Sequence, residues 1–111
     1  MIYKTSIVCP IYNAEKSVEA LVNQLSEKLS SLNMDYEIVL VDDRSPDNSW
    51  DLLVSEANKD SRVKVIRLSR NFGQQLAVSA GIEFSTGDYC IVMDGDLQNP
   101  VDAIDLIVAK L

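Results

Sequence analysis

Cysteine is scarce in this chain: two thiols, Cys9 and Cys90, in 111 residues. They close separate apolar stretches with no second pair nearby. That excludes a disulfide framework and offers no zinc-ligand spacing, so both are expected as reduced, buried core residues. Basic residues are few as well, ten Lys and Arg against seventeen Asp and Glu, giving a net charge of −7 and a pI near 4.4. A protein that binds the nucleic-acid backbone needs clustered cations, so that class of partner is excluded. An anionic substrate would need a metal ion or local hydrogen-bond donors. Long apolar runs are missing too: the longest are strand-sized, far short of the roughly 20 residues that cross a bilayer. The start, MIYKTSIVCP, lacks the long apolar region and small-residue cleavage site of a signal peptide. The expectation is a soluble, cytoplasmic chain. No linker, low-complexity tract or repeat interrupts it, and its 47% hydrophobic content suffices for one modest core. Residues 1–111 are too few for two ordinary domains and read as one unit.

What is present is a regular alternation. Four short runs, Ser6 to Cys9, Glu37 to Val41, Val63 to Leu68 and Tyr89 to Met93, are almost wholly apolar and lack the period-2 pattern of a half-solvated strand. They predict a parallel sheet covered on both faces. Between them lie helical patterns. Val18, Leu21, Val22, Leu25, Leu29 and Leu32 recur at three and four residues, with Asn13 placed as a cap. Ser45-Pro46 reads as a cap and first-turn proline ahead of Trp50, Leu53, Val54 and Ala57. Leu76, Ala77, Ala80, Gly81 and Phe84 follow Asn71, with Gly87 as a left-handed terminator. Asn99-Pro100 repeats the cap-proline signal before Val101, Ile104, Ile107, Val108 and Leu111. Strand and helix thus alternate four times, which predicts an α/β fold with an open, doubly wound, mostly parallel sheet and helices on both faces.

Such sheets bind ligands at the carboxyl ends of their strands, and every polar cluster in the chain falls there: 10–13, 42–45, 69–73 and 94–98. In Asp94-Gly95-Asp96 the carboxylates at i and i+2 can point the same way, while Gly95 lets the backbone turn or a ligand approach. Hard divalent cations take a few carboxylate oxygens and complete their shell with water and phosphates, so Asp94, Asp96 and Gln98 are candidate ligands for Mg²⁺ or Mn²⁺. The plainer alternative is a loop in which Asp94 ends a strand and Asp96 caps a helix. Asp42-Asp43 sets two carboxylates at a buried strand's tip, where mutual repulsion is relieved if a base or ribose donates to one. Asp43 is the favoured acceptor; the alternative is that Asp43 or Ser45 caps the next helix. Tyr12, after Pro10, can lie against a base or be a rim tyrosine. Arg67 reads as a surface arginine, whereas Arg70, near Gly73, can face an anion.

Together "VCPIYNAEKSV", "YEIVLVDDRSPDNSW", "RLSRNFGQQLAVSAGIEFSTGDY" and "IVMDGDLQNP" resemble the amino-terminal half of inverting glycosyltransferases with the Rossmann-like GT-A fold. The nearest resemblance is to those with polyprenyl-phosphate acceptors, such as dolichol-phosphate mannose synthases and bactoprenol glucosyltransferases. The resemblance implies a nucleotide pocket at Pro10, Tyr12, Val41 and Asp43, flanked by Asn71 and Gly73, with Asp94 between nucleotide and metal and a metal site at Asp94, Asp96 and Gln98. It implies a UDP- or GDP-hexose donor and a lipid-phosphate or saccharide acceptor. Relatives often carry Glu where Ala14 stands, so Glu15 alone is left for any ribose contact from that corner.

Members of that family continue for another hundred residues or more, with the acceptor site, the general base and membrane-associating helices. The expectation is therefore a donor-binding half with no catalytic base of its own; the chain has no histidine, and its carboxylates at this edge are spoken for by metal and nucleotide. Apolar surface where the remainder would pack makes self-association an expectation. Two other readings compete: a receiver-like Mg²⁺-binding signalling module, whose acidic pair would have to follow the first strand, and a catalytically incomplete nucleotide-binding domain.

Overall fold

A computed structural model describes residues 3–33 and 35–93. The elements alternate as β1 (Lys4–Ile11), α1 (Val18–Ser31), β2 (Asp35–Asp42), α2 (Ser49–Lys59), β3 (Val63–Arg67), α3 (Gln74–Phe84) and β4 (Tyr89–Val92). All pairings are parallel, and the strands lie in the order β3-β2-β1-β4. The expected helix over 101–111 lies outside the described residues.

Topology decides which face each helix covers. The path from β1 through β2 to β3 steps one way across the sheet, and right-handed crossovers place α1 and α2 on the same face. The step from β3 back past β1 to β4 reverses direction, which puts α3 on the opposite face. The core divides accordingly. Ile7, Cys9, Ile11, Ile38 and Leu40 pack against Val18, Leu21, Leu25 and Leu29 of α1 and Leu53 of α2, while the alternate strand residues Val8, Val39 and Val41 pack against Ala77. Each fully buried Leu or Ile contributes roughly 1.5–3 kcal/mol of burial free energy.

Several local expectations are corrected. Cys9 is buried, but Cys90 is exposed: among the described residues β4 is the outermost strand and nothing packs over its Cys90 and Val92 side, Val92 being 48% exposed. Coverage on both faces therefore holds for the central strands β1 and β2 and not for the edge. The first two helices also begin later than their cap signals suggest. A turn at Ala14 precedes α1, whose flanking residue is Ser17, and α2 starts after Asn48, downstream of Pro46. Leu76 and Phe84 point away from the core, at 54% and 62% exposure, because α3 lies against the sheet through small residues. Gly87 is not left-handed: α3 ends at Phe84 with Ser85 extended, and Gly73 alone among the described glycines has a positive φ. Gly87 instead packs on β1, donating its N–H to Ser6 Oγ at 2.9 Å.

Glu37, the first residue of an otherwise apolar run, is a buried charge. At the amino-terminal edge of the sheet its carboxylate accepts from Ser6 Oγ at 2.6 Å and from Thr86 N and Oγ1 at 2.6 and 3.1 Å. Lys64 and Lys4 supply cations. Burial pushes its pKa up, but the hydrogen bonds from Lys64, Ser6 and Thr86 outweigh burial and bring it from 4.5 down to about 2.

Candidate functional site

The strand order turns back between β1 and β4, so the crevice of this sheet opens at their carboxyl ends. The polar residues gather on that edge. β1 and β2 remain hydrogen-bonded to their last residues, Asp43 N donating to Ile11 O at 2.9 Å. Beyond that point the β1–α1 loop is pinned to the β2–α2 loop by three consecutive backbone amides. Asn13 N donates to Ser45 Oγ (2.9 Å), Ala14 N to Ser49 Oγ (2.9 Å) and Glu15 N to Asp47 Oδ2 (3.2 Å). Glu15 completes the junction by accepting from Asn48 N at 3.1 Å. Its carboxylate therefore serves the start of α2, a role its sequence position did not suggest. Burial pushes the Asp47 carboxyl up, yet donation from Ser49 and from Glu15 N leaves it below its ordinary value.

Asp42 and Asp43 each find donors within the chain. Asp42, fully buried, accepts from Ser45 Oγ at 2.5 Å and Ser45 N at 3.2 Å, and Arg67 Nε stands 3.6 Å away. Arg67 lies over the Trp50 ring, so an arginine expected to be merely superficial tethers β3 to β2 and α2. Asp43 faces the other way and accepts Phe72 N at 2.8 Å and Gly73 N at 3.0 Å, while Asn71 Nδ2 donates to Asp43 O at 3.1 Å. This fixes the β3–α3 loop against β2. A carboxylate has about four lone-pair sites, so Asp43 retains acceptor capacity for a further donor. Gly73 holds φ 99° and ψ 160°, a conformation open essentially to glycine alone.

Of the residues singled out from sequence, Tyr12, Asp43, Asn71 and Gly73 come together around the exits of β1, β2 and β3. Tyr12 is 53% exposed beside the pinned loop. Pro10 is half-buried within β1, opposite Val41. Val41 is buried against α3, supporting Asp42 and Asp43 from behind. Arg70 stacks on Phe72 at 4.7 Å. Asp94, Asp96 and Gln98 lie outside the described residues, which end at Met93, whose N–H donates to Val8 O at 3.0 Å. Among the described residues no group of three or more His, Cys, Asp or Glu is disposed to hold a metal, so a metal reading depends on 94–98. The receiver-like alternative finds no support, since the acidic pair closes the second strand. Sequence reasoning missed Ser45 and Asp47 as loop anchors; Asp47 followed by Ser49 was the available signal.

Comparisons with known proteins bear on the family and the fold. The family model described as Glycosyl transferase family 2 matches residues 6–111. An undecaprenyl-phosphate 4-deoxy-4-formamido-L-arabinose transferase of Yersinia pestis (strain Pestoides F) is 45% identical over 108 residues, covering 96% of this chain and 33% of that protein. The chain thus spans about a third of the length of the curated relatives it matches. Among solved structures, S. aureus TarS 1–349 in complex with UDP-GlcNAc superposes with a TM-score of 0.74 at 25% identity, over 96% of this chain and 30% of that one. The mannosyltransferase PcManGT from Pyrobaculum calidifontis, in complex with GDP-Man and Mn²⁺, gives 0.72 at 17% identity, over 86% and 28%, and shares the fold.

Proposed function

The chain belongs to glycosyl transferase family 2, and from that premise we propose that it forms the donor-binding portion of a metal-dependent, inverting sugar transferase. The donor is a nucleoside-diphosphate sugar, UDP- or GDP-linked, and the acceptor a polyprenyl phosphate or, failing that, a saccharide. The observation that carries the reading is the convergence of an exposed Tyr12 and a hydrogen-bond-anchored Asp43 on the sheet's switch-point crevice. The polyprenyl acceptor is supported by the 45%-identical transferase, whose name specifies undecaprenyl phosphate, and a UDP donor by the UDP-GlcNAc bound to TarS.

In this reading Tyr12 lies against the base and Asp43 accepts a hydrogen bond from base or ribose, with Pro10, Val41, Asn71 and Gly73 framing the pocket. Asp94, Asp96 and Gln98 hold Mg²⁺ or Mn²⁺; their oxygen-only donor set suits a hard cation. When bound, the cation neutralises charge that develops on the departing diphosphate. The chain's own contribution is to hold the nucleotide in a fixed orientation, which requires the loop restraints described above. The described carboxylates of this corner, Asp42, Asp43, Asp47 and Glu15, are engaged by internal donors, so the general base for the acceptor is assigned to the remainder of the protein. No described helix is long and apolar enough to cross a membrane, and contact with a lipid-linked acceptor at the cytoplasmic face is likewise assigned to that remainder.

Calorimetry on the intact protein with UDP and GDP, with and without Mn²⁺, tests the proposal. Binding of one diphosphate that depends on the cation is expected, with Asp94→Asn and Asp96→Asn weakening it. Absence of heat with either nucleotide on demonstrably folded protein would sink it.

A further inference from the structure

We infer that Ser45 is a positioning residue for the nucleobase end of the site, fixing the separation of the Tyr12 and Asp43 loops. The inference rests on the function proposed above. Ser45 is buried, and its hydroxyl sits between two loops. Asn13 N–H can only donate, so Ser45 Oγ accepts there at 2.9 Å, and its own proton goes to Asp42 Oδ1 at 2.5 Å. The chain of bonds runs from a buried carboxylate at the tip of β2, through one hydroxyl, to the residue that follows Tyr12.

Backbone conformation marks the same spot. Arg44 (φ 59°) is left-handed, a costly conformation for a residue other than Gly, Asn or Asp, and Asn13 (φ 54°) is left-handed too, at lower cost. One follows Tyr12 and the other follows Asp43, and both adjoin the Ser45 hydroxyl's bonds. Strained conformations persist where the surroundings over-determine them, and they gather at ligand clamps. Helix capping does not account for Ser45: it lies upstream of α2, and its bonds go to Asp42 and Asn13. Loops already held together by such bonds receive a base without first having to be ordered, which is where preorganised sites gain affinity.

Calorimetry on the intact protein with UMP, UDP, GMP and GDP in the presence of Mn²⁺ tests this. Ser45→Ala is expected to weaken the mono- and diphosphate of the preferred base by the same factor, about tenfold, because the disturbed contact is at the base. Ser45→Thr, which keeps the hydroxyl, is expected to restore both. Unchanged affinities in Ser45→Ala, a loss confined to the diphosphate, or a folded Ser45→Thr as weak as Ser45→Ala would each overturn the inference. Should the variants not fold, hydrogen exchange of the Asn13 amide in the unaltered protein decides: protection supports the bond, and the rate of a free loop amide overturns it. An unaltered protein that binds none of the four nucleotides overturns the proposed function itself, a separate outcome from a Ser45→Ala protein that binds as well as the original.

Discussion

Glu37 is an acid on a central strand, and its environment makes a pH prediction with a definite sign. Its folded pKa is depressed from 4.5 to about 2, so its contribution is complete above the unfolded value and is lost as pH falls through about 2. Integrated over that shift the contribution is about 3 kcal/mol. Denaturant titrations between pH 6 and 2, roughly the window of carboxylate protonation, are expected to show this loss, and Glu37→Gln to remove that part of the slope while lowering stability at neutral pH. Gly73 makes the second residue-scale prediction. A Cβ there meets nothing within 4 Å, yet φ is +99°. Gly73→Ala is expected to destabilise by about 1–3 kcal/mol through backbone strain alone, measurable by thermal unfolding. Residue types at strand ends were readable in advance: Tyr12, Asp43, Asn71 and Gly73 do meet at one edge. Bonding partners were not, because Asp43 finds its donors about thirty residues on, at Phe72 and Gly73, and nothing in a strand-end dipeptide specifies them.

At the scale of elements, α3 shows how a helix chooses its face. Its apolar residues lie on more than one side, and size, not hydrophobicity, settles which side meets the sheet. Ala77 and Gly81 are buried while Leu76, Ile82 and Phe84 remain exposed. A Cβ on Gly81 would collide with the Val8 side chain and come within 3.1 Å of Val41 Cγ2. Gly81→Ala is therefore expected to cost about 1–3 kcal/mol by overpacking. Combined with Val8→Ala it should cost less than the two single changes summed, a coupling that a double-mutant cycle on unfolding free energies reads directly. The 3.6-residue period announced the helix, but its orientation depended on Val8, a β1 residue far away in sequence. The same holds for the loop between β1 and α1: the position of Asn13 suggests a cap, whereas the amides of 13–15 are satisfied from 45–49.

For the whole molecule, a net charge of −7 and an edge rich in carboxylates oppose the approach of a diphosphate. Affinity for a nucleoside diphosphate is accordingly expected to collapse when the cation is chelated, and what remains to improve as added salt screens the repulsion over about 8–10 Å. The monophosphate should respond less to both, and titrations with and without EDTA at two ionic strengths check this. Sequence by itself determined the alternation of strands and helices and the placing of polar residues at strand ends, because hydrophobic period and turn chemistry are local properties of the chain. Tertiary structure alone decided the order β3-β2-β1-β4, the exposure of Cys90 among the described residues, the burial of Glu37 among donors from other elements and the place of Ser45 between two loops. Those outcomes turn on contacts between residues far apart along the chain, and such contacts exist only once the sheet has assembled.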